Sequence, residues 1–244
     1  LVAIGLMALL SDNIREVFWV AVIPGLVAVL LVIIGIEGQR GELAHTEARV
    51  PLRLADLKKL SRGFWAVVCI GVMFTMARFS EAFLILKAHD DGLPMALAPL
   101  VLVVMNLVYS LGAYPAGALG DNGGAQRPLL CGLACLVAAD IFLASRLGLV
   151  GTFVGIALWG AHMALTQGLL AQLVAERAPE ALRGTAFGLF NLATGITMLA
   201  ASVLAGVLWD YAGPAATFIM GGGFAGVAAL LVLVRQRVSV RAEN

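Results

Sequence analysis

Charge is what this 244-residue sequence has least of. Asp, Glu, Lys and Arg make up 13% of it and hydrophobic residues 61%, against about 25% and roughly 45–50% in soluble domains. That deficit excludes a water-soluble globular domain. Acidic and basic residues nearly cancel, to a net +1, which argues against a nucleic acid as a partner. Cysteine is also scarce. Cys69, Cys131 and Cys135 each lie inside an apolar run and read as small core residues rather than as a disulfide framework or metal ligands. No His/Cys metal spacing, phosphate-cradling glycine loop or nucleophile–base set occurs, so neither an enzyme nor a cofactor or metal site is expected. The glycines of "IMGGGFAG" fall within an apolar run, where small residues signal packing. The opening "LVAIGLMALL" has no initiator methionine, basic segment or cleavage site, and reads as the tail of a helix in a fragment of something longer.

What is present in quantity is long apolar runs. A bilayer core of roughly 30 Å takes about 20 residues of helix. The alternating strands of a membrane barrel are absent, which leaves helices as the spanning solution. The runs cover Leu1 to Leu10, about Phe18 to Ile36, Phe64 to Lys87, Met95 to Leu119, Leu129 to Ser145, Leu149 to Val174, Thr185 to Trp209 and Pro214 to Val234. The fold class is therefore all-α, a polytopic membrane helical bundle with seven full transmembrane helices and one partial. Its connectors, "HDDGLP", "GDNGGAQRP", "RLG", "ERAPEALRG" and "DYAG", are short enough to force antiparallel neighbours.

Assigning the connectors alternately to two sides sorts the basic residues. Arg40, Arg49, Arg53, Lys58, Lys59, Arg62, Arg127, Arg177, Arg183, Arg235, Arg237 and Arg241 fall on one side; Arg15, Lys87 and Arg146 fall on the other. The positive-inside rule makes the rich side cytoplasmic. Its long polar segment, Glu37 to Arg62, is then a cytoplasmic linker and the one clear boundary. The helically spaced leucines of "LRLADLKKLSR" suggest a short interfacial helix there.

Three stretches carry a resemblance. "GALGDNGGAQRP", Gly117 to Pro128, is similar to the cytoplasmic G-x-L-a-D-r-x-G-r-r loop of the major facilitator superfamily, with Gly117, Leu119, Asp121 and Gly124 matching. Asn122, Ala125 and Gln126 stand where basic residues are usual. "APEALRGTAFGLFNLATGITMLAASVLAGVLWDYAG" resembles that family's eleventh helix and its approach, and "MARFSEAF" sits on the counterpart of the seventh. The resemblance implies residues 1–36 as the end of an N-terminal bundle (helices five and six), 37–62 as the central linker, 63–235 as a C-terminal six-helix bundle and 236–244 as a cytoplasmic tail. The first four helices have no counterpart in the chain, so missing N-terminal helices are an expected partner beside the lipid bilayer.

Arg78 and Glu81 interrupt a greasy run. Arg78 lies 13 residues beyond Trp65, roughly 20 Å into the span, and Glu81 about 5 Å further out. Exposure to lipid would cost from about 2.5 kcal/mol upward, so both must face protein or water. On a continuous helix they are neighbours at i and i+3 and can pair, with Thr75 extending the face inward. One reading is a structural pair; the other has both lining a cavity, Glu81 exchanging a proton and Arg78 holding an anionic group. The resemblance favours the cavity, because the family's seventh and tenth helices line the transport path.

On the tenth-helix counterpart, Trp159, His162 and Thr166 share a face and open the same two readings, proton carrier or satisfied structural histidine. Asn106 and Tyr109 from the eighth helix and Asn191 from the eleventh complete the candidate substrate and proton pathway. Gly117, Asp121, Gly124, Arg127 and Arg183 form a candidate cytoplasmic gating loop, with Asp121 facing Arg183, a helix N-terminus or solvent. Gly184, Gly188 and Gly195 are candidate helix-packing positions, while Asp140 reads as structural.

The resemblance implies a secondary active transporter of a small-molecule substrate by alternating access, with proton-coupled efflux across a bacterial cytoplasmic (inner) membrane the preferred form. Uptake or facilitated diffusion of an organic anion is one alternative. A non-transporting membrane subunit or inactive truncated product is the other.

Overall fold

The computed structural model describes residues 14–35, 60–123 and 126–243, with Gly5 and Leu57. The chain divides into two compact units, Leu1–Arg53 and Leu54–Asn244. The first holds α1, Ile14–Gly35, whose apolar portion Trp19–Gly35 is a little short of the roughly 20 residues of a full crossing. The run Leu1 to Leu10, Gly5 excepted, lies outside the described residues. So does the interfacial helix expected in the linker, apart from Leu57 and its last three positions.

The second unit runs α2 Arg62–Ala77, α3 Ala82–Asp90, a 3-10 turn Met95–Leu97, α4 Ala98–Gly123, α5 Gln126–Ala144, α6 Gly148–Arg177, a second 3-10 turn Glu180–Leu182, α7 Arg183–Ala212 and α8 Pro214–Glu243. Among the described residues six segments are long and apolar enough to cross a membrane, the first of them Arg62–Asp90 and the last Pro214–Leu233. These are the six expected after the linker, and the chain is an integral multi-pass membrane protein.

Sequence chemistry accounts for the boundaries. The Ser61 hydroxyl caps α2 by accepting from the Phe64 N–H at 3.1 Å, one of the donors a helix start leaves open. Gly92, Gly148 and Gly213 take positive φ in "HDDGLP", "RLG" and "DYAG", where a side chain would be strained. Gly117 and Gly120 do not; α4 continues helically through Gly123. The loop expected from Gly117 is therefore helix as far as Gly123, and the next helix begins at Gln126. At the far end, α8 carries on through the expected tail to Glu243.

α6 packs on α4 and α5, α8 on α5 and α2, and α7 on α2 and α8. Glycines set the closest approaches: a Cβ on Gly160 would run into the Met105 carbonyl, one on Gly132 into the Thr166 methyl and one on Gly71 into the Phe190 ring. The central core gathers Phe74, Phe79, Phe83, Leu133, Leu136, Trp159 and Phe218. A second cluster, with Phe64, Val67, Val174, Ala186 and Phe190, fills the end nearer Ser61. Outward faces carry Leu111, Ile141, Val150, Leu199 and Ile219, as expected where lipid rather than water is the solvent.

Candidate functional site

The continuous helix expected from Phe64 to Lys87 is broken. α2 stops at Ala77, Arg78 turns out of helical geometry at φ −118° and ψ 86°, and α3 begins at Ala82. Arg78 and Glu81 thus flank an unwound segment instead of stacking on one helical face. They do not close into an ion pair.

Unwound backbone at membrane depth needs substitute partners, and serine supplies them. The Ser80 N–H donates to Ser202 Oγ on α7 at 3.2 Å. The Ala82 N–H donates to Ser80 Oγ at 3.3 Å. Phe79 anchors the other side: its ring, 1% exposed, sits 5.3 Å from Phe83, 5.7 Å from Trp159 and 5.6 Å from Phe218 between centroids. The break is a packed feature held from α6, α7 and α8.

Between the break and α7 opens a cleft of about 560 Å³, lined by Arg78, Phe79, Ser80 and Glu81 from one side and Gly195, Met198, Leu199 and Ser202 from the other. That volume lies within the range of small-molecule sites, roughly 300–1,000 Å³. The guanidinium offers donors only and the carboxylate a proton acceptor; serine hydroxyls and the Met198–Leu199 surface supply hydrogen bonding and apolar contact. Arg78 also lies within electrostatic range of the Glu81 carboxylate and the His162 ring, so a charge brought to the cleft acts on all three.

Behind the break the α6 residues are sealed in. Trp159 and His162 are fully buried and Thr166 is 1% exposed. His162 stacks on Phe74 with centroids 5.1 Å apart, its Nδ1 lies 2.9 Å from the Gly132 carbonyl, and the Thr166 hydroxyl donates to the carbonyl of His162 itself. Thr75 likewise turns back on its own helix, donating to the Gly71 carbonyl at 2.8 Å.

The remaining candidates are dispersed. Asn106 is exposed and donates to Leu102 O at 2.8 Å; Asn191 is exposed, and Tyr109 is half-buried against the core. None of the three lines the cleft. Arg183 pairs at 3.8 Å with Glu180, both exposed. The Asp121 side chain and Gly124 lie outside the described residues, so the Asp121–Arg183 contact does too. A Cβ on Gly184, Gly188 or Gly195 would meet nothing within 4 Å, and Gly195 lines the cleft, while close approaches among the described helices fall at Gly71, Gly132 and Gly160.

Sequence reading missed Ser80, Met198 and Ser202. Ser80 had a signal, a serine just ahead of a helix start; Ser202, inside a long apolar helix, had none. It also missed the buried group at the far end of α3. There Lys87 Nζ meets Asp91 Oδ1 at 2.7 Å, and the Thr152 hydroxyl of α6 donates to Asp91 Oδ2.

A family model described as Major Facilitator Superfamily matches residues 1–202 and, in a second overlapping alignment, 87–244. The chain is also 30% identical over 183 residues to an uncharacterized MFS-type transporter of Methanocaldococcus jannaschii. That alignment covers 72% of this chain and 46% of the relative, so the chain matches about half the length of that protein.

Proposed function

Because this chain belongs to the major facilitator superfamily, we propose that it is the C-terminal bundle, with the end of the N-terminal one, of a secondary active transporter that moves a small solute by alternating access. The observation that supports this reading best is the cleft at the broken helix. An arginine and a glutamate without an ion pair among the described residues line it, beside two serines and an apolar wall. Charges that served only to hold helices together would be paired at helix contacts, so their openness speaks against a non-transporting subunit. The missing helices of the N-terminal half would supply the facing wall, over Gly184, Gly188 and Gly195, which leave room for close approach. Glu81 is the proton-exchanging group and Arg78 the charge that tunes it, in proton-coupled efflux across a bacterial cytoplasmic membrane.

In the full-length protein reconstituted into liposomes, Glu81→Gln should abolish flux driven by a pH gradient while leaving expression and substrate exchange largely intact. Unchanged gradient-driven flux removes Glu81 from coupling; lost expression supports a structural role instead.

The unpaired guanidinium favours a second reading, uptake or facilitated diffusion of an organic anion clamped by Arg78. There Arg78→Gln abolishes both exchange and net flux of the anion, whereas under proton-coupled efflux of a neutral or cationic solute exchange survives.

A further inference from the structure

Asp140, on α5, is 2% exposed, and neither of its carboxylate oxygens has a hydrogen-bond partner among the described residues. An ionised carboxylate in that position costs several kcal/mol uncompensated. What lies beside it makes the difficulty worse. Where α2 ends, the Ala77 carbonyl has lost its helical donor, and among the described residues no N–H or O–H replaces it. Both oxygens converge on Gly221 of α8. A Cβ built there would stand 3.2 Å from Asp140 Oδ2, 3.2 Å from the Ala77 oxygen and 3.0 Å from the Phe79 ring. Two buried acceptors therefore meet at one glycine with no donor between them.

A proton resolves this. Bound to the carboxylate it removes the charge and turns one acceptor into an O–H donor, for which the Ala77 carbonyl beside the same glycine is the available acceptor. A metal ion does not fit, since hard cations take six or more oxygens. The walls here are an aromatic ring and glycine backbone, and the described residues hold no cluster of three His, Cys, Asp or Glu.

We propose that Asp140 is a proton-binding site, taking a proton from water and holding it as a neutral carboxyl that hydrogen-bonds the Ala77 carbonyl and latches α5 to the broken end of α2.

The surrounding groups leave the proton unrivalled. Arg78 and Glu81 line the cleft toward α7. His162, on α6, is engaged with Gly132, eight positions back along α5 from Asp140. α8 carries no ionisable side chain between Pro214 and Val234, α5 itself offers Arg127, Cys131 and Cys135, and Arg146 follows two positions after its end. None makes an ion pair with Asp140. The assignment stands whether or not the cleft is a transport path.

Infrared spectroscopy of the full-length protein at neutral pH in an alkyl maltoside detergent, which has no ester carbonyl to overlap the band, tests it, because a protonated carboxyl has a C=O stretch distinct from that of a carboxylate. The band is expected in the unaltered protein and lost in Asp140→Asn, whose amide keeps a donor toward Ala77. Absence of the band in the unaltered protein, or its persistence in Asp140→Asn, overturns the proposal. Should Asp140→Asn fail to fold, Asp140→Glu replaces it: a shifted band supports the site and an unmoved one overturns it. The melting temperature should be the same in sodium and in choline; a sodium-dependent rise that Asp140→Asn removes would assign the site to a metal ion and overturn it as well.

Discussion

At the scale of single residues, polar groups in this bundle matter through what they meet. Lys87, in the last turn of α3, is 6% exposed, because Asp91 and, through it, Thr152 of α6 complete its surroundings. Removing one partner of such a pair leaves the other charge unpaired, at a cost of about 3 kcal/mol. Lys87→Met should therefore lower the thermal stability of the detergent-solubilised protein markedly, and adding Asp91→Leu should restore most of it. Equal losses in the single and double variants would show that the pair contributes only packing. The sequence showed the i and i+4 spacing of Lys87 and Asp91, but nothing in it placed Thr152, 61 positions further on, against them. Arg78 and Glu81 were legible as groups that must avoid lipid; that they face a cleft unpaired followed from the backbone between them.

At the scale of elements, the break between α2 and α3 decides the site. Its four residues contain neither glycine nor proline, the usual punctuation of a helix, so hydropathy read straight through it. The break exists because Phe79 gains a buried aromatic cluster while Ser80 and Ser202 replace hydrogen bonds the helix gives up. Ser202→Ala removes the acceptor of the Ser80 N–H, a loss of about 1–3 kcal/mol for a buried orphan donor, and hydrogen exchange at Ser80 and Ala82 should accelerate. Glycine roles divide along the same line. Gly160→Ala would push a methyl into the Met105 backbone and should destabilise by about 1–3 kcal/mol. Gly188→Ala, facing open space, should leave the melting temperature of this bundle unchanged. A comparable loss from both would mean that Gly188 is packed as tightly as Gly160.

At the scale of the whole molecule, sidedness is the property sequence controls most directly. With Cys69, Cys131 and Cys135 replaced, a cysteine at position 127 should react with an impermeant maleimide only from the cytoplasmic side, and one at position 90 only from outside. The opposite pattern would invert the topology. The sequence by itself determined that the chain lives in a bilayer, that its elements are helices of spanning length, where most of them turn and which family it belongs to. The first three follow from local quantities, transfer free energy summed along about 20 residues and glycine where φ turns positive; the family follows from the likeness of its motifs. Tertiary structure alone decided that the seventh-helix counterpart is broken, that Arg78 and Glu81 line a cleft while Trp159 and His162 are sealed in the core, and that Asp140 and the Ala77 carbonyl border the same glycine of α8. Those outcomes depend on which side chains from distant segments replace lost backbone hydrogen bonds and fill aromatic contacts. No window of sequence contains both partners.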